Sequence, residues 1–282
     1  MTALIIGLGL IGGSIAKTLK KNSDWTVLGY DINESVVNDA VSVGAIDGAW
    51  CLGESSNADI TVLCMSPSNT VGFLKDNAKY LLKGSVVTDV CGIKQSITNE
   101  CSAICKEYGL LFIGGHPMAG KERSGFKNSD KNLFNRASYI LTPTEETDPK
   151  AIEVAKLYVA ALKAAKITVT TPENHDKMIA FTSQLPHIIA GAYVKSPSCL
   201  ERRGFSAGSF KDVSRVATVD ENLWSELFLQ NKDMLIPEIE CLIEKLNQYK
   251  VALDNNDVDN LKSIIKLGRI IKENDLKEMD KD

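Results

Sequence analysis

Up to about Thr171, short apolar runs alternate with segments in which apolar residues recur every three or four positions. The runs predict strands at Ala3–Ile6, Thr26–Tyr30, Ile60–Cys64, Ser85–Val90, Leu110–Ile113, Ser138–Leu141 and Ile167–Thr171. The periodic segments between them predict helices over Ile11–Lys21, Glu34–Val43, Ser68–Leu81, Lys94–Tyr108 and Pro149–Ala164. This alternation is the rhythm of a parallel sheet wound with helices. The Pro-, Thr- and acid-rich stretch Thr142–Pro149 reads as a surface loop.

After Thr171 the strand signals stop. Pro172 and Glu173 open a helical stretch reaching about Lys195. The Gly-, Ser- and Arg-rich passage Ser196–Asp212 is too irregular for helix or strand. From Glu221 the spacing is helical almost to the end, with Leu223, Leu227 and Phe228, then Ile239, Leu242, Ile243 and Leu246. Pro237 is expected to kink or restart that helix, and the charged tail after Asn274 to fray. The expected organisation is an α/β domain over 1–171 followed by an all-α domain over 172–282.

Composition narrows the class of partner. A net charge of −4 gives no electrostatic reason for nucleic acid or an anionic membrane as partner. No apolar run approaches bilayer-spanning length. At the N-terminus the basic residues follow the apolar run, and glycines break it, so it reads as strand and turn instead of a signal peptide. The seven cysteines have no repeated spacing. Cys101 and Cys105 lie four apart on an expected helix, but no histidine or second cysteine pair completes a metal site, and they read as small buried residues. No metal is expected, and a reducing cytoplasm is the expected compartment.

Gly7-Leu8-Gly9-Leu10-Ile11-Gly12 fits G-x-G-x-x-G directly after an apolar strand and at the opening of an amphipathic helix. Gly7 permits the tight turn, Gly9 lets backbone approach a pyrophosphate, and Gly12 allows close helix–strand packing. The helix N-terminus, with Leu10 and Ile11 in its first turn, supplies free N–H groups to the phosphates. Asp31 ends the second strand, where a carboxylate can hydrogen-bond ribose hydroxyls. It would repel a 2′-phosphate, which favours NAD over NADP. These features point to a Rossmann-type NAD-binding domain. Later strand ends, Cys64-Met65-Ser66-Pro67 and Thr88-Asp89-Val90-Cys91-Gly92, add Ser66, Pro67 and Asp89 as cofactor-binding candidates.

Three histidines are present. Histidine is the usual neutral-pH proton acceptor when an alcohol is oxidised. His116, in Gly114-Gly115-His116-Pro117, follows an expected strand and so lies at the ligand-binding edge of the sheet. His187, after Pro186 in the second domain, stands evenly between a site residue and a buried histidine donating to a carbonyl. His175 reads as structural, with its partner in neighbouring backbone. Lys211 and Arg215, four apart, share a helix face and together can hold a dianion. Arg202 and Arg203 have at most a rim contact.

Together the blocks GLGLIGGS, GGHPMAGKERSG, PENHDKM, SQLPH, GSFKDVSRVA and ENLWSELFLQNKD resemble the prephenate/arogenate dehydrogenases of tyrosine biosynthesis over nearly the whole chain. The resemblance implies that His116 is the catalytic base, that Arg215 binds a substrate carboxylate, and that Lys211 and His187 border the substrate pocket. It implies oxidative decarboxylation of prephenate, or alternatively of arogenate, with NAD as hydride acceptor. It also implies a homodimer formed through the C-terminal helices. The chain's end soon after the helical region is expected to leave no room for an appended regulatory or mutase domain.

Two positions depart from the family pattern. Its Asp-x-Gly-Ser-Val-Lys, whose serine hydrogen-bonds the catalytic histidine, reads Asp89-Val90-Cys91-Gly92-Ile93-Lys94, with Gly92 at the serine position. Water, Ser124 or a backbone group is then expected to orient His116. Its Ser-His-Leu-Pro-His reads Ser183-Gln184-Leu185-Pro186-His187. A β-hydroxyacid dehydrogenase, with Lys177 as its lysine, and a non-catalytic NAD-binding sensor are the rival readings.

Overall fold

The computed structural model describes residues 1–121 and 123–279. In β1 (Thr2–Ile6) the four residues from Ala3 to Ile6 are all fully buried, so this strand is covered on both faces. Ala3 and Ile5 enter one hydrophobic cluster, Leu4 and Ile6 a second, as alternation across a pleat requires. The first cluster is closed by α1 (Leu10–Asn22), α2 (Glu34–Ser42) and α5 (Pro149–Ala161), through Ile15, Leu19, Ala40, Ala155 and Tyr158. The second is closed by α3 (Pro67–Asn77) and α4 (Gln95–Tyr108), through Val71, Leu74, Ile97, Cys101 and Cys105.

The other strands are β2 (Thr26–Tyr30), β3 (Gly48–Ala49), β4 (Ile60–Leu63), β5 (Val86–Asp89), β6 (Leu111–Pro117), β7 (Ser138–Thr142) and β8 (Lys166–Val169). They form one sheet in the order β3-β2-β1-β4-β5-β6-β7-β8. The order reverses between β1 and β4, and that switch point opens the crevice in which α/β sheets bind ligands. The seven expected strands are present; β3, two residues long, carries no periodic signal.

Two expectations change here. The sheet is not wholly parallel, because β7 runs antiparallel to β6, with His116 opposite Ile140. His116 therefore lies inside β6, which continues four residues past the expected end at Ile113.

Beyond β8 the chain is helical. α6 (Pro172–Ile179) passes through a π-helical turn, Ala180–Gln184, into α7 (Leu185–Tyr193). The passage expected to be irregular contains α8 (Ser198–Glu201) and α9 (Gly208–Ser214), so short helices occupy it despite its glycines. Next come α10 (Glu221–Gln230), α11 (Lys232–Asp254) and α12 (Val258–Met279). The restart falls at Asn231 and not at Pro237, which α11 takes up in its interior at the loss of the one i→i−4 bond its N–H would make. α12 stays helical past Asn274; residues 280–282 lie outside the described region.

By internal packing the chain divides into Met1–Lys232 and Asp233–Asp282. The first helices after β8 thus cluster with the sheet, and they bring His175 and Asp176 against β6 and the start of α4. No described helix is long and apolar enough to cross a membrane.

Candidate active site

The chain leaves β1 through Gly7, whose φ of +88° belongs to the left-handed region. A Cβ there would lie 2.6 Å from the Cys64 carbonyl oxygen, and one at Gly12 would lie 1.9 Å from the Gly7 oxygen. At Gly9, the N-cap of α1, a Cβ would meet no protein atom within 4 Å. Two glycines are thus required by the protein's own packing, and the third borders open space before the first turn of α1, where Leu10 and Ile11 stand. That cradle suits a pyrophosphate. Gly12→Ala is expected to cost about 1–3 kcal/mol of stability through overpacking. Gly9→Ala should melt like the parent yet lose at least about tenfold in dinucleotide affinity; thermal melts and binding titrations separate the two effects.

Asp31 follows β2 and turns its carboxylate back to the loop. Oδ2 accepts from Leu8 N at 2.8 Å, and Oδ1 accepts from Asn33 N at 2.9 Å. Ser66 N-caps α3, and Pro67 is its first residue. Glu226 of α10 accepts from Ser68 N at 2.6 Å, seating a carboxylate on the N-terminus of that helix. Asp89 requires a correction. Its side chain is fully buried; it accepts from Gly115 N at 3.1 Å and Cys91 N at 2.8 Å, and it pairs with Lys94, also fully buried. With those partners the carboxylate is enclosed by protein and has no exposed surface to offer a ligand.

His116 keeps part of its surface open, while His175, from α6, is 1% exposed. His116 Nδ1 lies 2.9 Å from His175 Nε2, and His175 Nδ1 lies 2.7 Å from Asp176 Oδ1. His175 therefore has its ring partners in His116 and Asp176, not in neighbouring backbone as expected. Ser124, the expected substitute for the family's serine, is exposed and uses its carbonyl oxygen to accept from Asn128. Desolvation by burial, the neighbouring His175 and the charge of Lys94 together hold His116 well below the ordinary histidine pKa. Burial also lowers His175, against the opposing pull of Asp176. Both rings are neutral at pH 7.

Gly92 faces this pair. A Cβ on it would lie 3.9 Å from His116 Cε1 and 3.8 Å from both Leu227 methyls, ordinary contact distances. The missing serine is thus not excluded sterically. Leu227 belongs to α10, whose preceding turn places Trp224 on His187, with ring centroids 3.7 Å apart. His187 Nδ1 donates to Ser183 O at 2.8 Å, so neutral His187 exposes Nε2 as an acceptor. Burial and the nearby charge of Arg215 lower its pKa. His187 and Arg215 are thus neighbours, and His187, half-buried, makes the carbonyl contact expected of a histidine held by backbone. Lys211 is exposed on α9, and Arg215, also exposed, opens the turn that follows.

Gln184, the second departure, is 2% exposed: it donates to Leu227 O at 3.1 Å and accepts from Asn231 Nδ2 at 2.7 Å. Asn231 also donates to Asp176 O at 3.0 Å, tying α6 to the end of α10. Lys177, the lysine of the rival reading, faces solvent beside these inward residues. Cys101 and Cys105 are buried in α4 as expected, and burial raises both thiols. A cavity of about 860 Å³, lined by Thr98, Lys106, Phe112, Thr144 and Glu146 among others, opens where β6 begins and includes neither His116 nor the glycine loop.

A glycine loop at the switch point of such a sheet defines a dinucleotide-binding protein. Residues 15–168 match the family model of the prephenate dehydrogenase nucleotide-binding domain, and residues 171–267 that of the prephenate dehydrogenase dimerization domain. The chain belongs to the prephenate dehydrogenase family. It is 32% identical over 271 residues to prephenate dehydrogenase of Bacillus subtilis, covering 92% of this chain and 72% of that protein. A crystal structure of prephenate dehydrogenase from A. aeolicus with hydroxyphenyl propionate and NAD+ is similar, with TM-score 0.84 and 29% identity over 100% of this chain and 98% of that one. Synechocystis arogenate dehydrogenase follows at TM-score 0.82 and 27% identity, over 97% and 99%.

Proposed function

We propose that the chain oxidatively decarboxylates prephenate to 4-hydroxyphenylpyruvate, with NAD as hydride acceptor. The observation that carries this reading is a neutral, partly open His116 on a sheet whose switch point holds the glycine cradle. The two family domains support 1–171 as the nucleotide-binding half and 172–282 as the substrate and dimerisation half. The solved relative bound to NAD+ supports the choice of cofactor.

The glycine loop, with the α1 N-terminus at Leu10 and Ile11, would hold the pyrophosphate, and Asp31 the adenosine ribose. Ile32, 92% exposed beside Asp31, offers an apolar face to adenine that the motif alone does not flag. Ser66 and Pro67 would line the nicotinamide-ribose side. Bound NAD supplies the hydride acceptor. His116 Nε2 takes the proton of the C4 hydroxyl as hydride leaves C4. The ketone formed across the ring receives the electrons released with CO₂, and aromatisation drives the reaction forward. Arg215 holds one carboxylate and Lys211 the second, while His187 borders the pocket with Nε2 able to accept a hydrogen bond.

The relatives named prephenate dehydrogenase favour prephenate over arogenate. Mixing the protein with NAD and either substrate tests the proposal, since no reduced-nicotinamide absorbance with either would end it. Arg215→Ala is expected to raise the KM for prephenate by an amount equivalent to about 1.5–3 kcal/mol, with a smaller change in kcat. An unchanged KM would assign the carboxylate to another group.

A homodimer through the C-terminal helices fits the unit Asp233–Asp282. Its helices leave Leu246, Leu267 and Ile271 about three-fifths exposed, at 58%, 61% and 62%. A two-helix unit with so much apolar surface open is suited to burial against a second copy. The cytoplasm remains the proposed compartment.

A further inference from the structure

A histidine serves as a base only at the nitrogen that carries no proton, so something must decide which nitrogen that is. In this chain the decision can be followed from α4 outward. Asp176 Oδ1 accepts from Lys94 N at 2.7 Å, and Oδ2 accepts from Gln95 N at 2.8 Å. Both amides belong to the start of α4, a 14-residue helix whose dipole favours an anion there. A carboxylate accepts and does not donate, so its 2.7 Å contact with His175 puts a proton on His175 Nδ1. Neutral His175 then presents a lone pair at Nε2. His116 Nδ1, 2.9 Å away, must donate to it, and this leaves His116 Nε2 unprotonated.

We infer that His175 and Asp176 are positioning residues that fix the proton of His116 on Nδ1 and so make Nε2 the base nitrogen. When His116 becomes cationic by accepting the substrate proton, its Nδ1–H still donates to His175, and His175 Nδ1–H to the carboxylate. No further proton needs to move. Gly92 has no hydroxyl to share this task, so the orientation of His116 falls on His175. The inference rests on His116 being the base.

Three variants and a pair of spectra test it. His175→Phe keeps an aromatic ring but removes the acceptor; it is expected to lower kcat by about 10–10²-fold while the KM for prephenate and NAD affinity change little. His175→Gln keeps an acceptor oxygen and should recover most of the lost rate. Nitrogen-15 spectra of the wild-type protein should show neutral His116 protonated at Nδ1, with the tautomers mixed in His175→Phe. Equal rates for the Phe and Gln variants, or a wild-type His116 protonated at Nε2, would overturn the inference. So would a wild-type rate in His175→Phe when His116→Asn is inactive, and there the base survives without its proposed support. An active His116→Asn would instead remove the underlying reading.

Discussion

Replacing His116 with asparagine is expected to lower turnover of prephenate by about 10²–10⁴-fold, the range ascribed to a positioned general base, while NAD still binds. Asparagine fits the same strand position and can still meet His175 through a hydrogen bond, so β6 and its pairing with Ile140 should persist. The loss should appear in kcat and in kcat/KM together, because the interaction removed forms as the proton transfers. Single-turnover absorbance of reduced nicotinamide measures it, and a near-normal rate would rule out the base. The wild-type pH profile carries a matching signature. His175 meets His116 from α6 with Asp176 behind it, and the charge of Lys94, itself paired with Asp89, acts on the ring from the start of α4. Burial, His175 and Lys94 depress its pKa, so the ring is neutral at and above the ordinary value of 6.5. Because the base must be neutral, kcat/KM should stay flat as pH falls through 6.5 and drop only further into acid. An unperturbed histidine would already have lost half its activity there.

The cofactor half of the proposed site is legible in the sequence because its motif is local: strand, glycine turn and helix are consecutive, and their spacing carries the mechanism. The substrate half is assembled from distant segments, and there adjacency misleads. His175 reads as structural from its neighbours, yet His175, Asp176, Ile179 and Ala180 share one helical face and are all buried, while Lys177 and Met178 are exposed. That period marks an inward His–Asp pair in need of a partner, a signal carried by the spacing of the residues alone. Asp89 misleads in the opposite way. A carboxylate at a strand end suggests a ligand contact, and nothing in the local pattern reveals that Lys94, five residues on, folds back onto it. The reversed β7 has a weak signal. No helix is expected between Ile113 and Ser138, although a parallel return needs a crossover, most often a helix. The π turn before Pro186 has none, since proline marks a disturbance without saying how the backbone absorbs it.

Lys94→Met should reveal how far the site depends on a charge that never reaches the substrate. Lys94 and Asp89 are both fully buried, and the carboxylate also accepts from Cys91 N and Gly115 N. Removing the ammonium strands a buried anion, at a cost of about 3–5 kcal/mol, or a fall in Tm of about 10 °C in a chain of this size. Adding Asp89→Asn to that variant removes the stranded charge and should return part of the loss, so the double variant would melt above the single one. A melt unchanged by Lys94→Met would show that the ion pair adds nothing to folding. The same substitution has a second, independent readout. Lys94 lies near enough to His116 and His175 for its charge to lower both, so the acid limb of kcat/KM should move to higher pH in Lys94→Met. The backbone N–H of Lys94, which Asp176 accepts, is untouched by the exchange. The two consequences therefore separate cleanly: Tm reports the stranded carboxylate, and the pH profile reports the field that keeps His116 neutral.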